Sequence, residues 1–304
     1  MFDIIVVGGG PAGLAAALYA RREEKSVLVL EKNNFGGQIA WSPMVDNFPG
    51  SPATSGAKLA DTMLTQVTDK GGEIDLSQVT GITDAGDKKI VHTEDGDLEA
   101  RAVILATGAR HRRLDLEREE ELTGNGVSYC AVCDGAFYKG RPVAVAGGGD
   151  AALQDALSLA NVCSSVYIIH RRKEFRAEAA NVSAVLARPN IRLVLCCSVV
   201  ELVGDNELKG VLIENSLDGS RKILPVDGLF VAVGFQPEND CFGSVADLDA
   251  AGWFASGEDC RTRCPGVFAA GDCRAKTVRQ LTTAVGDGAS AAVAACRYID
   301  SLPR

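Results

Sequence analysis

Residues 4–13 read Ile-Ile-Val-Val-Gly-Gly-Gly-Pro-Ala-Gly, an apolar run that leads into the glycine pattern Gly8-x-Gly10-x-x-Gly13. The Ala-rich stretch Pro11–Arg22 follows, and a second apolar run closes at Glu31. This order predicts a strand, a tight turn, a helix and a second strand. In such a unit the glycines let the backbone approach a pyrophosphate, which lies at the N-terminus of the helix.

The same pattern occurs a second time, as Gly147-x-Gly149-x-x-Ala152, again between an apolar run and a helix-forming stretch. The apolar run that follows it closes at His170, which is 23 residues after Gly147, and Glu31 is likewise 23 residues after Gly8. One such pattern is weak evidence, because it can be a packing turn. Two patterns in register predict two nucleotide-binding units.

Length and composition favour a two-domain enzyme. The 304 residues are many for a single core, and the 40 Asp and Glu residues outnumber the 31 Lys and Arg residues, which argues against nucleic acid or an anionic membrane as the main partner. No export signal is visible, and no run approaches about eighteen apolar residues. We therefore expect a cytoplasmic protein that spans no membrane and whose ten cysteines need not pair. The acidic run Glu117–Glu121 predicts a solvated linker face.

The residues that close the two second strands distinguish the nucleotides. Glu31 is placed to accept hydrogen bonds from ribose hydroxyls, which suits FAD or NAD and would repel a 2′-phosphate. His170-Arg171-Arg172, with Arg176 close behind, is a basic cluster, and arginine matches phosphate oxygens. A solvated basic stretch is the alternative interpretation. The basic cluster follows the second strand, where the ribose of a bound nucleotide would lie, and this position favours NADPH.

Two further segments indicate a flavin. Ala102–Gly108 is an apolar run that ends in a glycine turn, typical of the return strand of a nucleotide domain. Gly266–Ala270 is another apolar run, and it ends on Gly271-Asp272, where the aspartate can hold a ribityl chain. The small-residue helix that opens near Arg279-Gln280 can direct its N-terminus at the flavin ring. By itself a Gly-Asp pair is a common turn.

The stretch Cys130-Ala-Val-Cys133-Asp134-Gly135 lies twelve residues ahead of the second glycine pattern. A Cys-x-x-Cys beside a strand–turn–helix pattern predicts a dithiol that cycles with a disulfide. Half of a zinc site is the alternative, but no second pair of ligands follows at metal spacing. The sequence therefore favours electron transfer to sulfur.

Together and in this order, these motifs resemble the low-molecular-weight thioredoxin reductase family, class II of the pyridine nucleotide-disulphide oxidoreductases. The resemblance runs nearly end to end. It includes three more stretches: Gly36-Gly37-Gln38, Asp46-Asn47-Phe48-Pro49-Gly50 and Ala106-Thr107-Gly108. It is specific because in this family, unlike the glutathione reductase group, the Cys-x-x-Cys-Asp lies in the nucleotide domain.

The resemblance implies an α/β fold with two Rossmann-like three-layer nucleotide-binding domains, the NADPH domain being inserted into the FAD domain. Residues 1–112 and 241–304 would form the FAD-binding domain. Residues 113–240 would form the NADPH-binding domain with the redox cysteines. Arg110–Thr123 and Val233–Pro237 would be the connecting segments.

Carried over residue by residue, the resemblance also implies the cofactor-binding positions, and it implies no metal ligands. The positions for FAD are Gly8, Gly10, Gly13, Glu31, Gly37, Gln38, Asn47, Gly271, Asp272, Arg279 and Gln280. The positions for NADPH are Gly147, Gly149, Ala152, His170, Arg171, Arg172 and Arg176.

The chemistry that the resemblance implies runs from NADPH to FAD, then to the Cys130–Cys133 disulfide, and then to thioredoxin or a thioredoxin-like protein. Cys133 would lie nearer the flavin, Cys130 would form the mixed disulfide with thioredoxin, and Asp134 would protonate the leaving thiolate. A turn-forming role before Gly135 is the alternative for Asp134. Because disulfide and nicotinamide would share one domain, that domain is expected to pivot between half-reactions. A homodimer is expected by analogy.

Rival functions share the scaffold. A ferredoxin-linked flavoprotein disulfide reductase would lack a working NADPH site, and the intact second glycine pattern and its arginines speak against it. A peroxiredoxin-linked reductase usually carries an additional N-terminal thioredoxin-like module, for which this chain has no room. A redox-sensing flavoprotein that is not an enzyme stays open.

Five other cysteines are expected to be packing residues. Cys260, Cys264 and Cys273 make an incomplete set for zinc, since no His lies nearby. Cys196 and Cys197 are adjacent in an apolar run, which predicts one strand with a side chain on each face, both in the core.

Overall fold

The computed structural model describes residues 1–42 and 44–303, which divide into two compact units. Unit 1 comprises Met1–Arg110 and the chain from Gln236 onward, and unit 2 comprises His111–Phe235. The divisions fall after residues 110 and 235, against expected boundaries after residues 112 and 240. Residue 304, at which the last expected segment ends, lies outside the described residues.

Both units combine strands with helices, and each also contains a run of consecutive strands. The strands are β1 (Phe2–Val7), β2 (Val27–Glu31), β3 (Glu73–Leu76), β4 (Val79–Asp84), β5 (Lys89–Thr93), β6 (Gly96–Leu105), β7 (Arg110–His111), β8 (Val127–Ser128), β9 (Pro142–Ala146), β10 (Ser165–His170), β11 (Ile191–Leu195), β12 (Cys197–Val203), β13 (Gly210–Asn215), β14 (Arg221–Leu224), β15 (Gly228–Val231), β16 (Phe235–Gln236) and β17 (Val267–Ala269). The helices are α1 (Pro11–Arg22), α2 (Gly56–Asp69), α3 (Ala131–Asp134), α4 (Asp150–Leu159), α5 (Ala179–Leu186) and α6 (Leu281–Ser301).

Unit 1 is built on a parallel sheet in the order β3-β2-β1-β6-β17. The first half of β6 also pairs antiparallel with β5, and β5 with β4, which adds a three-stranded meander. Helices α1 and α6 pack against one face of the sheet. They approach closely because small residues line their contact: a Cβ on Gly288 would lie 2.1 Å from the carbonyl oxygen of Ala12.

Unit 2 repeats this plan with a parallel sheet in the order β11-β10-β9-β15-β8 and a separate antiparallel meander β12-β13-β14. Helix α4 packs on one face of the parallel sheet, and the meander packs on the other. The meander gives each unit its third layer. The α/β fold with one Rossmann-like unit inserted into another is thereby confirmed.

The prediction for the adjacent cysteines is wrong in one respect. Cys196 is half-buried and has a positive φ of 56°, so it forms the turn between β11 and β12 and is not part of either strand. Cys197 opens β12 and is buried, as expected. The apolar run hides this break because the chain passes from the parallel sheet to the meander without a polar residue.

The connecting segments form a small sheet of their own, in which β7 pairs with β16. None of the described helices has the length and apolar character needed to cross a membrane.

Candidate functional site

Cys130 and Cys133 form a disulfide, with their Cα atoms 5.3 Å apart. Cys130 is the residue that caps the short helix α3, two residues after β8, and both cysteines are half-buried. The Sγ atom of Cys130 accepts a hydrogen bond from the backbone N–H of Cys133 at 3.2 Å. The same N–H would stabilise a thiolate on Cys130 after reduction.

Asp134 follows the second cysteine and is held by Ser128. The Ser128 hydroxyl donates to Oδ2 of Asp134 at 2.6 Å, whereas Oδ1 is buried and has no hydrogen-bond partner among the described residues. Burial raises the pKa of Asp134, and the Ser128 hydrogen bond opposes that rise. A carboxyl group with a raised pKa and one free oxygen beside a disulfide can give a proton to a sulfur atom. Sequence reasoning missed Ser128, whose one signal was its place two residues before Cys130.

Glu119 corrects the expectation of a solvated acidic run. Its side chain is 2% exposed and accepts hydrogen bonds from Leu114 N at 3.0 Å, Leu116 N at 3.2 Å and the Tyr129 hydroxyl at 2.7 Å. The neighbouring Glu120 is exposed and pairs with Arg113 at 3.0 Å, as expected of the run. Glu119 therefore anchors Tyr129, the residue directly before Cys130.

The Tyr129 ring also packs against the connecting segment. The centroid of His111, in β7, lies 5.1 Å from Tyr129 and 4.3 Å from Phe235 in β16. Burial lowers the pKa of His111 to about 4, so this ring is neutral at physiological pH. The sequence offered no partner for this histidine, because its partners come from distant positions.

The two glycine patterns have the same geometry. Gly8 N donates to the carbonyl of Leu30 at 2.8 Å, and Gly147 N donates to the carbonyl of Ile169 at 3.0 Å. The helices that follow, α1 and α4, begin after Gly10 and Gly149, and neither residue supplies a side-chain cap. Their first-turn N–H groups are therefore suited to an anionic ligand.

The two glycine patterns differ in how much room surrounds their individual glycines. A Cβ on Gly13 would lie 1.9 Å from the carbonyl oxygen of Gly8, so this glycine serves the contact between turn and helix. In unit 2 the equivalent position is Ala152, which is buried. A Cβ on Gly149 would meet nothing within 4 Å, so the backbone there is open. Gly149 thus has the room that a phosphate group requires.

Glu31 lies against the first glycine turn. Its Oε2 accepts from Gly9 N at 2.8 Å and its Oε1 accepts from Asn33 N at 3.0 Å. The carboxylate is thus fixed at the end of β2, half-buried, where the resemblance places the ribose.

His170 holds the corresponding position in unit 2 but is buried, and its ring stacks on Phe175 at 5.5 Å. A Cβ on Gly148 would lie 2.2 Å from Nδ1 of His170, so the ring packs directly on the glycine turn. Burial lowers the pKa of His170, which keeps the ring neutral. Its side chain shapes the turn and adds no positive charge to the cluster.

Three arginines supply the positive charge beside the second glycine turn. Arg171 and Arg172 are exposed directly after β10. Arg176 is also exposed, and its backbone N–H donates to the carbonyl of Gly148 at 2.9 Å. The structure therefore brings Arg176 to the glycine turn and leaves the three guanidinium groups at the surface near it.

The Gly271-Asp272 turn follows β17 in unit 1, where Oδ1 of Asp272 is buried without a hydrogen-bond partner among the described residues. Lys276 Nζ lies 3.6 Å from this oxygen, close enough for an ion pair but too far for a hydrogen bond. Burial raises the pKa of Asp272. An orphaned carboxylate oxygen fits a hydroxyl-bearing ligand such as the ribityl chain of FAD.

Arg279 and Gln280 organise the segment around this turn. The Arg279 guanidinium donates to the carbonyls of Asp272 at 3.2 Å, Lys276 at 2.9 Å and Arg274 at 3.1 Å. It also lies 3.8 Å above the ring of Trp253. Gln280 caps α6 in a reciprocal capping box with Thr283.

Asp287, which sequence reasoning missed, supports the same turn from α6. Its Oδ2 accepts from Gly271 N at 3.1 Å and forms ion pairs with Arg274 at 2.8 Å and Lys276 at 3.0 Å. Its one signal was an acidic residue on the otherwise small-residue face of a helix.

The remaining expected FAD positions differ in location. Gly37 lies beside the first glycine turn, since a Cβ there would be 3.1 Å from Cα of Gly10. The Gln38 amide donates to the carbonyl of Ala109, after β6. Asn47 is exposed in the segment before α2, and within residues 1–42 and 44–303 its side chain makes no hydrogen bond to these residues.

Cys260, Cys264 and Cys273 are buried, as expected. Cys260 belongs to the core on the helical side of the unit 1 sheet, and Cys264 and Cys273 belong to the core on its other side. Burial raises the pKa of Cys260 and Cys264 to about 11. Among residues 1–42 and 44–303, no group of three or more His, Cys, Asp or Glu is placed to hold a metal ion.

Comparison with known proteins bears on the whole chain. Residues 2–288 match the family described as pyridine nucleotide-disulphide oxidoreductase. The thioredoxin reductase of Listeria monocytogenes is 40% identical over 303 residues, which cover 99% of this chain and 95% of that protein. The crystal structure of thioredoxin reductase from Streptococcus pyogenes matches with a TM-score of 0.94 at 39% identity, covering 99% of both chains. Thioredoxin reductase from Giardia duodenalis matches with a TM-score of 0.91 at 35% identity, covering 98% of this chain and 99% of that one.

Proposed function

This chain belongs to the pyridine nucleotide-disulphide oxidoreductase family, and from that membership we propose that it is a thioredoxin reductase that uses NADPH and FAD. The reaction balances as NADPH, a proton and a thioredoxin disulfide giving NADP⁺ and a thioredoxin dithiol. The observation that carries the proposal is the Cys130–Cys133 disulfide with Asp134 fixed beside it.

FAD and NADPH, when bound, supply the electron pair that opens the disulfide. In unit 1, the glycine turn at Gly8, the carboxylate of Glu31 and the free oxygen of Asp272 fit the pyrophosphate, the ribose and the ribityl chain of FAD. In unit 2, the open backbone at Gly149 and the exposed Arg171–Arg172 pair fit the pyrophosphate and the 2′-phosphate of NADPH.

The protein side chains carry the sulfur chemistry. On reduction the electron pair breaks the S–S bond and leaves a thiolate on each sulfur, so Cys130 can attack as a thiolate. Asp134 holds a proton within its turn for the thiolate that leaves in the exchange. Cys130 then attacks the thioredoxin disulfide, forming a mixed disulfide and releasing one thioredoxin thiolate. Cys133 attacks the mixed disulfide, which restores the Cys130–Cys133 bond and releases the second thiol.

The proposal includes a rotation of unit 2 about β7 and β16 between half-reactions. The disulfide and the NADPH fingerprint are in one unit and the Gly271-Asp272 turn is in the other, so both reductant and disulfide must reach the flavin in turn. We further propose a cytoplasmic homodimer, by analogy with the family.

Steady-state NADPH oxidation with added thioredoxin and insulin or an aromatic disulfide as the final acceptor tests this function. We expect NADPH consumption that depends on thioredoxin and disappears in Cys130→Ser. Consumption that is independent of thioredoxin, or that survives this substitution, would contradict the proposal. A redox sensor would bleach its flavin once and not turn over.

A further inference from the structure

We propose that Ser128 is a positioning residue that sets the protonation of Asp134 and ties this acid to the backbone of Cys130. The proposal rests on the function proposed above for Asp134.

Ser128 lies at the end of β8 and is 4% exposed, so its hydroxyl is shielded from water. A hydroxyl has one hydrogen to donate and lone pairs to accept with. The hydrogen goes to Oδ2 of Asp134, since that oxygen is 2.6 Å away and the alternative acceptor, the Cys130 carbonyl, is 3.4 Å away. The lone pair accepts from Cys130 N at 3.1 Å. One buried oxygen atom therefore joins the acid to the attacking cysteine.

In this geometry the Ser128 hydroxyl opposes the effect of burial on the pKa of Asp134. The free oxygen Oδ1 of Asp134 has no partner among the described residues, so the Ser128 hydroxyl is the side-chain donor that stabilises the ionised carboxylate. Without it, the carboxyl group keeps its proton to higher pH and loses the hydrogen bond that holds it in place. A hydroxyl group that served only packing would have no such effect on protonation.

Other titratable groups lie near α3. Tyr138, in the turn that follows, has its pKa raised by burial and by the charge of Asp134. Helix α4, which packs on α3, carries Asp150 and Asp155, and neither contributes to the shift of Asp134. Burial raises the pKa of Asp155 to about 7, so Asp155 could add its own inflection to a pH profile. An Asp155→Asn control separates that inflection.

The experiment measures alkylation of Cys130 by iodoacetamide as a function of pH. The Cys133→Ser protein is reduced with dithiothreitol, reacted, and analysed by peptide mass spectrometry, so Cys130 is the one thiol of the pair. The inflection due to Asp134 is identified as the one that Asp134→Asn removes and Asp155→Asn retains. In Ser128→Ala we expect it to move up by about one pH unit, because the carboxylate loses a charged hydrogen bond. Ser128→Thr, which keeps the hydroxyl, should restore it.

An unchanged inflection in Ser128→Ala would overturn the proposal. So would an equal effect of Ser128→Ala on the profile when Asp134 is already Asn, since the hydroxyl would then act by another route. That double-mutant comparison decides the matter even if the threonine variant does not fold, which circular dichroism would reveal. The alkylation needs neither NADPH nor thioredoxin, so a failed turnover assay would refute the proposed function and leave this result standing.

Discussion

Replacing Glu119 with alanine removes the one acceptor that serves three donors in unit 2. The donors are Leu114 N, Leu116 N and the Tyr129 hydroxyl. Burial, together with the hydrogen bond to Glu119, raises the pKa of Tyr129, so the phenol keeps its proton and stays a donor at any ordinary pH. Each hydrogen bond to a charged group contributes about 1.5–3 kcal/mol, and the two backbone donors are partly accessible to water. We therefore expect unit 2 to lose about 3–4 kcal/mol of unfolding free energy.

Urea unfolding followed by two probes measures this loss. Trp41 and Trp253 are the only tryptophans and both belong to unit 1, so tryptophan fluorescence reports unit 1 and far-ultraviolet circular dichroism reports both units. In Glu119→Ala the dichroism transition should move to lower urea and the fluorescence transition should move less. The matched control is Glu120→Ala, which removes an exposed ion pair and should change stability by less than about 1 kcal/mol. Equal effects of the two substitutions would refute the reasoning.

Three further outcomes are expected. Replacing Arg171 and Arg172 with alanine should lower kcat/KM for NADPH by the equivalent of about 3 kcal/mol and change kcat/KM for NADH little, because only NADPH carries the 2′-phosphate. The control is Arg188→Ala, which replaces an exposed arginine of the same unit and should change neither value. Gly149→Ala should leave the circular dichroism spectrum unchanged, since the added Cβ meets no atom within 4 Å. It should weaken NADPH binding as measured by calorimetry, and an unchanged affinity would show that the phosphate does not bind at this turn. Burial raises the folded-state pKa of Asp134, so its ionisation destabilises the fold above its ordinary pKa, and Asp134→Asn should raise the thermal midpoint at pH 8 and not below pH 4.

The fold could be predicted from sequence where local patterns carry it. The glycine turn, the apolar strands and the Ala-rich helix Pro11–Arg22 lie within one short stretch, and the helix has the expected bounds. The repeat at Gly147 then predicts the second unit. Patterns of this kind fix backbone geometry because they depend on neighbours in sequence.

What sequence did not predict depends on contacts between separate segments of the chain. Glu119 reads as one more acid in a charged run, and its burial follows from Tyr129 folding back onto it. Cys196 reads as part of a strand, and its turn follows from where the parallel sheet ends. Asp287 reads as a helix surface residue, and its role follows from Arg274 and Lys276 approaching it from another segment. No local pattern encodes such approaches.

The identity of the attacking sulfur is the central claim, and trapping the mixed disulfide tests it directly. A thioredoxin that keeps one active-site cysteine is activated as its thionitrobenzoate disulfide and mixed with reduced Cys133→Ser or reduced Cys130→Ser. With Cys133→Ser we expect one thionitrobenzoate released per protein, and peptide mapping should show the new disulfide at Cys130. With Cys130→Ser the release should be slower by at least about tenfold. Faster trapping through Cys133, or trapping at neither cysteine, would contradict the account.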